Sequence, residues 1–236
     1  MNNNYLDVYN HLKKNISEGI YAPGQIIPSE NELSNFFNVK RFVVRKVINK
    51  LVVEGLVFVI RNEGYFVQDE IINVGIRKYA NYTQNMLDKK LIPHIKIIGI
   101  TTVYPSNEQI KLFSLNKDEL LWDLHILRYY KQIPYLLGRS YIPFNRFPDF
   151  GESFQKLKSI HKVFNNMYGI RPTRMSSICR ATISDKKESR QLAIFENSPI
   201  LKVASINTDR SDKPVEQCIS TFRSDIVRIN VNLKII

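Results

Sequence analysis

Residues 39–56 read VKRFVVRKVINKLVVEGL. Four cations, Lys40, Arg41, Arg45 and Lys46, are threaded through an apolar run. Val44, Val47, Ile48 and Leu51 recur three or four apart, which predicts a helix with that stripe buried. Arg41 and Arg45 are four apart and share a face roughly opposite. Gly55 suits the position that ends such a helix. A helix of this kind needs its own domain beneath the valines and an anionic surface above the arginines.

Upstream, Leu6, Tyr9, Leu12 and Ile16 make another helical stripe, ending near Gly19. YAPGQ supplies a Pro-Gly turn, and Ile26 and Ile27 suit a short strand. Ser29 with Glu32 three residues on is a capping box. It opens a helix to about Phe37 that turns Leu33, Phe36 and Phe37 inward. Downstream, LVFVI and YFVQD alternate around RNEG as a hairpin, with Gly64 free to take a positive φ. Three helices and a hairpin, in this order, make a winged helix-turn-helix. Its third helix enters a DNA major groove with its N-terminal residues foremost. There a guanidinium can bond guanine O6 and N7 together. The plainer alternative is an amphipathic helix whose basic face is merely solvated.

This segment, about residues 5–68, resembles the DNA-binding domain of GntR-family transcription regulators. The likeness rests on YAPGQIIPSENEL, VKRFVVRKVINKLVVEGL and NEGYFV, in that order. It implies base and phosphate contacts from Arg41 and Arg45, a helix-start contact from Lys40 and a wing glycine at Gly64. Ser29, Lys46 and Arg61 complete the expected DNA-binding set. Asn31 stands where the family usually has Arg, and Val43 where it usually has Thr. Both changes imply weaker phosphate anchoring or a shifted site preference, which Lys40 partly offsets.

The chain has 236 residues, enough for one large or two ordinary domains. Its net charge of +12 lies wholly beyond residue 70. Before that point eight Lys and Arg balance eight Asp and Glu. Local clustering matters more than the total, because phosphates are met at contact range. The distal excess reads as a solvated lysine-rich surface or as an approach field for an anion. Cys179 and Cys218 form no Cys-x-x-Cys, which fits a reducing compartment. MNNNYLDVYN lacks the regions of a signal peptide, and no apolar run approaches the ~18 residues of a span. A cytoplasmic protein with no membrane partner is expected. The four histidines are scattered, so neither a metal site nor a cofactor is expected, and no catalytic motif is present.

Residues 70–75 read as a linker between domains at 1–69 and 76–236. Beyond it, a helix is expected at 76–90, a strand from Ile95, and a helix from Ser106 with a Ser106–Gln109 cap. LLWDLHILRYY and PYLLGRSYI pair around KQI, and one helix is expected over 154–168. A strand at 179–183 and a helix at 185–194 follow. Two strands then flank SDK, and VRINVNLKI closes the sheet. The class is α+β with a largely antiparallel sheet.

This half resembles the UTRA ligand-sensing domain of the HutC subfamily of GntR regulators. The matching residues are Arg128 and Pro134 in LRYYKQIP, RSYIP at 139–143, Ser159, Tyr168-Gly169 and KPVEQCISTFRSD at 213–225. The likeness implies a chorismate-lyase-like fold that binds a small effector and does no chemistry. It implies effector contacts from Arg128, Ser159, Glu216 and Phe222. Arg180 is the additional cation to watch, in a stretch partly similar to regulators of phosphonate uptake. Ile126, Ile95 and Gly138 replace polar residues of the sugar-phosphate pattern. That leaves open a sugar phosphate, phosphate or another small anion, a less polar ligand, or a sensor that has lost its ligand. Bland roles stand beside each: Ser159 as a helix cap, Glu216 as a surface ion pair, Arg223 with Asp225 as a turn.

The resulting expectation is a homodimeric repressor on an inverted-repeat operator in double-stranded DNA. The sensory domain would supply the dimer contact. The rivals are a chorismate-lyase-like enzyme, which leaves the winged helix unexplained, and an RNA binder. The latter would expose aromatics on a sheet, whereas Phe36, Phe37 and Phe66 fall at core-like positions.

Overall fold

The computed structural model describes residues 4–78 and 94–231. Helices α1 (Asn4–Ser17), α2 (Glu30–Phe36) and α3 (Arg41–Val53) precede a hairpin of β1 (Val57–Ile60) and β2 (Gly64–Val67). All four stripe residues of α3 are completely buried, against Val8 and Leu12 of α1 and Leu33 of α2. At about 1.5–3 kcal/mol per fully buried side chain, this stripe is what seats the helix. The capping box is formed in both directions. Glu32 N donates to Ser29 Oγ at 3.3 Å, and Ser29 N donates to Glu32 Oε2 at 2.8 Å. Ile26 makes a single bridge to Phe66 rather than a strand.

Two stripe assignments need correction. In α1 the buried line is Val8 and Leu12, flanked by Tyr5 and Tyr9, while Leu6 is exposed. In α2, Leu33 is buried but Phe36 is 73% exposed. A seven-residue helix needs only one inward residue per turn, and Phe37 takes the second place.

The distal domain is a six-stranded antiparallel sheet in the order β4-β5-β6-β9-β8-β7. Its strands are β4 (His94–Val103), β5 (Leu121–Tyr130), β6 (Ile133–Pro143), β7 (Thr173–Ile183), β8 (Pro199–Thr208) and β9 (Pro214–Arg223). Among the described residues, four helices decorate it: α4 (Asn107–Phe113), α5 (Phe150–Leu157), α6 (Ile160–Tyr168) and α7 (Lys186–Leu192). The expected Ser106–Gln109 cap opens α4. The single helix expected over 154–168 is two, because Lys158 turns left-handed (φ +50°) and Ser159 starts α6 afresh.

The linker and the last strand also depart from expectation. β3 (Ile72–Ile76) pairs in parallel with β10 (Val227–Val231), forming a separate two-stranded sheet. VRINV, the described part of the expected closing strand, therefore does not join the main sheet. The apolar side chains Ile72 and Val74 are buried with Val227 and Phe222, so most of the linker is structural. The helix expected at 76–90 lies almost wholly on residues 79–93, outside the described residues, and its first residue, Ile76, ends β3.

Candidate DNA-binding and effector sites

Lys40 precedes α3 with its side chain free of any capping bond. Arg41 and Arg45 project from the exposed face, their side chains 58% and 57% exposed. Both guanidiniums converge on one carboxylate. Glu30, at the start of α2, accepts from Arg45 Nε at 3.0 Å and Nη2 at 2.8 Å, and from Arg41 Nη2 at 3.3 Å. Tyr65 Oη, from the wing, donates to Glu30 Oε1 at 2.8 Å. The Arg45 bond is the main cause that holds the Glu30 carboxyl below its ordinary range. Burial, then the neighbouring carboxylate, pushes the Tyr65 phenol well above its ordinary value. Glu30 thus aims the two arginines, and its negative charge competes with any phosphate they approach.

Lys46 lies over the exposed Phe42 ring at 5.6 Å, so part of its charge is engaged on the helix itself. Gly64 has φ +131°, and a Cβ there would come within 3.0 Å of Ile26 Cδ1. Both facts require glycine at the start of β2. Arg61 sits differently from a free wing cation. Its amide donates to Ala193 O at 2.9 Å, and its Nη1 is buried without a hydrogen-bond partner. Ser29 has its hydroxyl engaged in the capping box.

In the distal domain, Arg128, Ser159 and Glu216 line one small cavity on the face of the sheet. β5 carries Arg128, β9 carries Glu216, and Ser159 caps α6, accepting from Lys162 N at 3.3 Å. Polar residues that were not expected at the site join them, among them Ser140, His161, Arg174 and Asn207. Glu216 is buried and accepts from Ser140 Oγ and Asn207 Nδ2, each at 2.7 Å. The amide nitrogen of Asn207 must face the carboxylate, which leaves Oδ1 free for another donor. Among the described residues, that Oδ1 and Arg174 Nε are buried with no hydrogen-bond partner. Unsatisfied buried groups are costly unless a ligand or water completes them. Burial holds the His161 imidazole below its ordinary value of 6.5, with Arg174 and Arg128 adding to the effect. Burial pushes the Cys218 thiol, on the same wall, up to about 12, so it is a poor nucleophile at neutral pH.

The cavity volume is about 50 Å³, well below the roughly 300–1,000 Å³ of sites for drug-sized ligands. Ile126 and Gly138 face each other across β5 and β6 on its floor. A Cβ on Gly138 would lie 2.9 Å from Ile126 Cγ1. The isoleucine therefore occupies the room that a longer residue at 138 would need.

Phe222 and Arg180 do not line this cavity, contrary to expectation. Phe222 is fully buried in the cluster that joins β9 to β3 and β10. Arg180 lies exposed on the edge strand β7, opposite Lys202. Strand alternation puts Phe222 on the same face as Glu216, but the cavity ends at Ser220, and Phe222 packs beyond it with Phe58, Ile72 and Val227. Arg174 and His161 were missed because neither belongs to a motif; the β7–β8 pairing and the α6 start bring them in.

A family model for bacterial regulatory proteins of the gntR family matches residues 4–67, and one for the UTRA domain matches residues 89–228. The chain is a GntR-family regulator with a UTRA domain. It is 25% identical over 232 residues to the "Probable fructoselysine utilization operon transcriptional repressor" of Escherichia coli (strain K12), covering 98% of this chain and 94% of that one. It is 26% identical to the HTH-type transcriptional regulator GmuR of Bacillus subtilis (strain 168), covering 98% and 99%. The crystal structure of PhnF from Mycobacterium smegmatis superposes with a TM-score of 0.68 at 19% identity, covering 96% of this chain and 99% of that one. This GntR regulator is accordingly a DNA-binding transcription regulator with a ligand-binding domain. Among the described residues, no helix is long and apolar enough to cross a membrane.

Proposed function

We propose that this regulator is a cytoplasmic, homodimeric repressor released from an inverted-repeat operator by a small anion carrying a hydroxyl or amine. The observation that carries this reading is the cavity itself. Arg128, Arg174 and the α6 start at Ser159 supply groups that attract an anion, and Glu216 with Asn207 supplies acceptors. An anion meets the arginines, and a donor on the same molecule meets Asn207 Oδ1. Two curated relatives, the E. coli protein above and NagR of Bacillus subtilis, carry the word repressor in their names. Lys40, Arg41, Arg45, Lys46 and the wing at Gly64 would meet DNA, with Arg41 and Arg45 reading bases.

The edge strand β7 suits the dimer contact. Met175, Ile178 and Ile183 are exposed on it, Ile178 by 71%, and an exposed apolar edge strand invites pairing.

The small cavity volume favours a second reading, a sensor narrowed to a free inorganic oxyanion. One experiment separates them: thermal denaturation with phosphate, sulfate, phosphonates and amino-sugar phosphates. A ligand at 100 times its dissociation constant stabilises by about 2.7 kcal/mol. Stabilisation by phosphorylated sugars beyond that by phosphate supports the first reading. Equal stabilisation supports the second, and no stabilisation by any anion contradicts both.

A further inference from the structure

The buried guanidinium of Arg223 lies where the effector domain meets the wing. It is 0% exposed, at the last position of β9. Its Nη2 donates to Val59 O of β1 at 2.6 Å, and its Nη1 to Leu192 O at 3.3 Å. Asp225 takes Nε at 3.0 Å and Nη2 at 2.6 Å, which offsets the buried charge. One side chain therefore ties the wing to both α7 and β9. Neighbouring contacts lie at the same joint. Val59 packs with Leu192, Ile194 and Ile200, and Tyr65 meets the Phe195 ring.

The strands that reach this joint are the ones that line the cavity. β9 carries Glu216 and then Arg223, seven residues on, roughly 23 Å along an extended strand. β5 carries Arg128 and then Tyr130, whose hydroxyl bonds Glu70 just ahead of β3. On the far side, Tyr65 bonds Glu30, which holds Arg41 and Arg45. The hydrogen-bonded frame is thus continuous from the cavity to the recognition helix.

We propose that Arg223 is the positioning residue that fixes the wing to β9, so that the recognition helix follows the effector strand. A buried guanidinium satisfied wholly by backbone and one carboxylate costs desolvation, and plain packing would not require it. This inference rests on the cavity being the effector site and on α3 reading DNA. Without the pin, the two winged domains of a dimer would lose their fixed separation.

The test uses the full chain with Arg223→Met, which keeps volume and removes the donors. Arg223→Lys, which keeps the charge but not the fork, carries the test should the first variant not fold. Hydrogen exchange of residues 57–67 should speed by on the order of tenfold, with β5, β6 and β8 unchanged. The preference for one half-site spacing should relax to within about threefold across neighbouring spacings. Wild-type exchange at the wing, or loss of protection throughout the sheet, would overturn the proposal. If the wild type selects no duplex sequence, the functional reading fails, while the exchange result still judges the pin.

Discussion

Arg45 donates to both oxygens of Glu30, from Nε at 3.0 Å and from Nη2 at 2.8 Å. The arginine proposed to read DNA is therefore held by an acid of its own domain. The pair is more than half exposed on the arginine side, so its worth lies in aim rather than in stability. The carboxylate sets where the guanidinium points and lowers the local positive potential.

Replacing Glu30 by Gln should raise affinity for unrelated duplex DNA and reduce discrimination between sequences. The loss of discrimination should reach about 1–3 kcal/mol if one bidentate base contact is misaimed. Fluorescence anisotropy on a selected site and a scrambled one measures both. A variant with unchanged discrimination would show that Glu30 does not aim Arg45.

Arg128→Ala and Arg174→Ala should leave operator affinity intact and abolish the response to the effector. Either variant should also lose thermal stabilisation by the anion that stabilises the wild type. Arg180→Ala should not change stabilisation by the anion, since that residue lies on the edge strand away from the cavity. An effector response surviving in Arg128→Ala removes that residue from the site.

Gly138→Ala should destabilise the protein by roughly 1–3 kcal/mol, because the new Cβ meets Ile126 Cγ1 at 2.9 Å. Adding Ile126→Ala, which removes Cγ1, should recover part of that loss, giving a coupling of about 0.5–3 kcal/mol in a double-mutant cycle. Chemical denaturation of the four proteins checks it. Additive effects would mean the two side chains do not share the cavity floor.

His161 gives a pH dependence with a defined sign. Its folded value lies below 6.5, so the unfolded chain takes up the proton first as pH falls. Stability contributed by the neutral imidazole is present above about pH 6.5 and is lost as pH drops below it. Sulfate, whose charge is constant over this range, should bind more tightly as pH falls, because an anion favours the imidazolium. Melting curves with and without sulfate at several pH values test both. His161→Gln should flatten the response, and an unaltered slope would assign it elsewhere.

Much of this was legible in the residues, and the failures have physical causes. The α3 stripe, the Ser29–Glu32 box and the Ser106–Gln109 box are local patterns, and local patterns survive folding. The linker strand was not legible, since INVGI pairs with residues 155 positions away in sequence. The break at Lys158–Ser159 hides inside a continuous amphipathic pattern. Arg174 and Asn207 reach the cavity only through strand pairing, and Glu30 reaches Arg45 only through the packing of α2 on α3. Phe222 followed its motif into the expected strand but faces the joint rather than the cavity.

The most direct test is selection of bound duplexes from a random library, run with the wild type and with the Arg41→Ala, Arg45→Ala double variant. The account predicts that the wild type enriches one inverted repeat and that the variant loses it, at about 1–3 kcal/mol per guanine contact removed. Enrichment of the same repeat by both proteins would contradict the assignment of α3 as the reading helix.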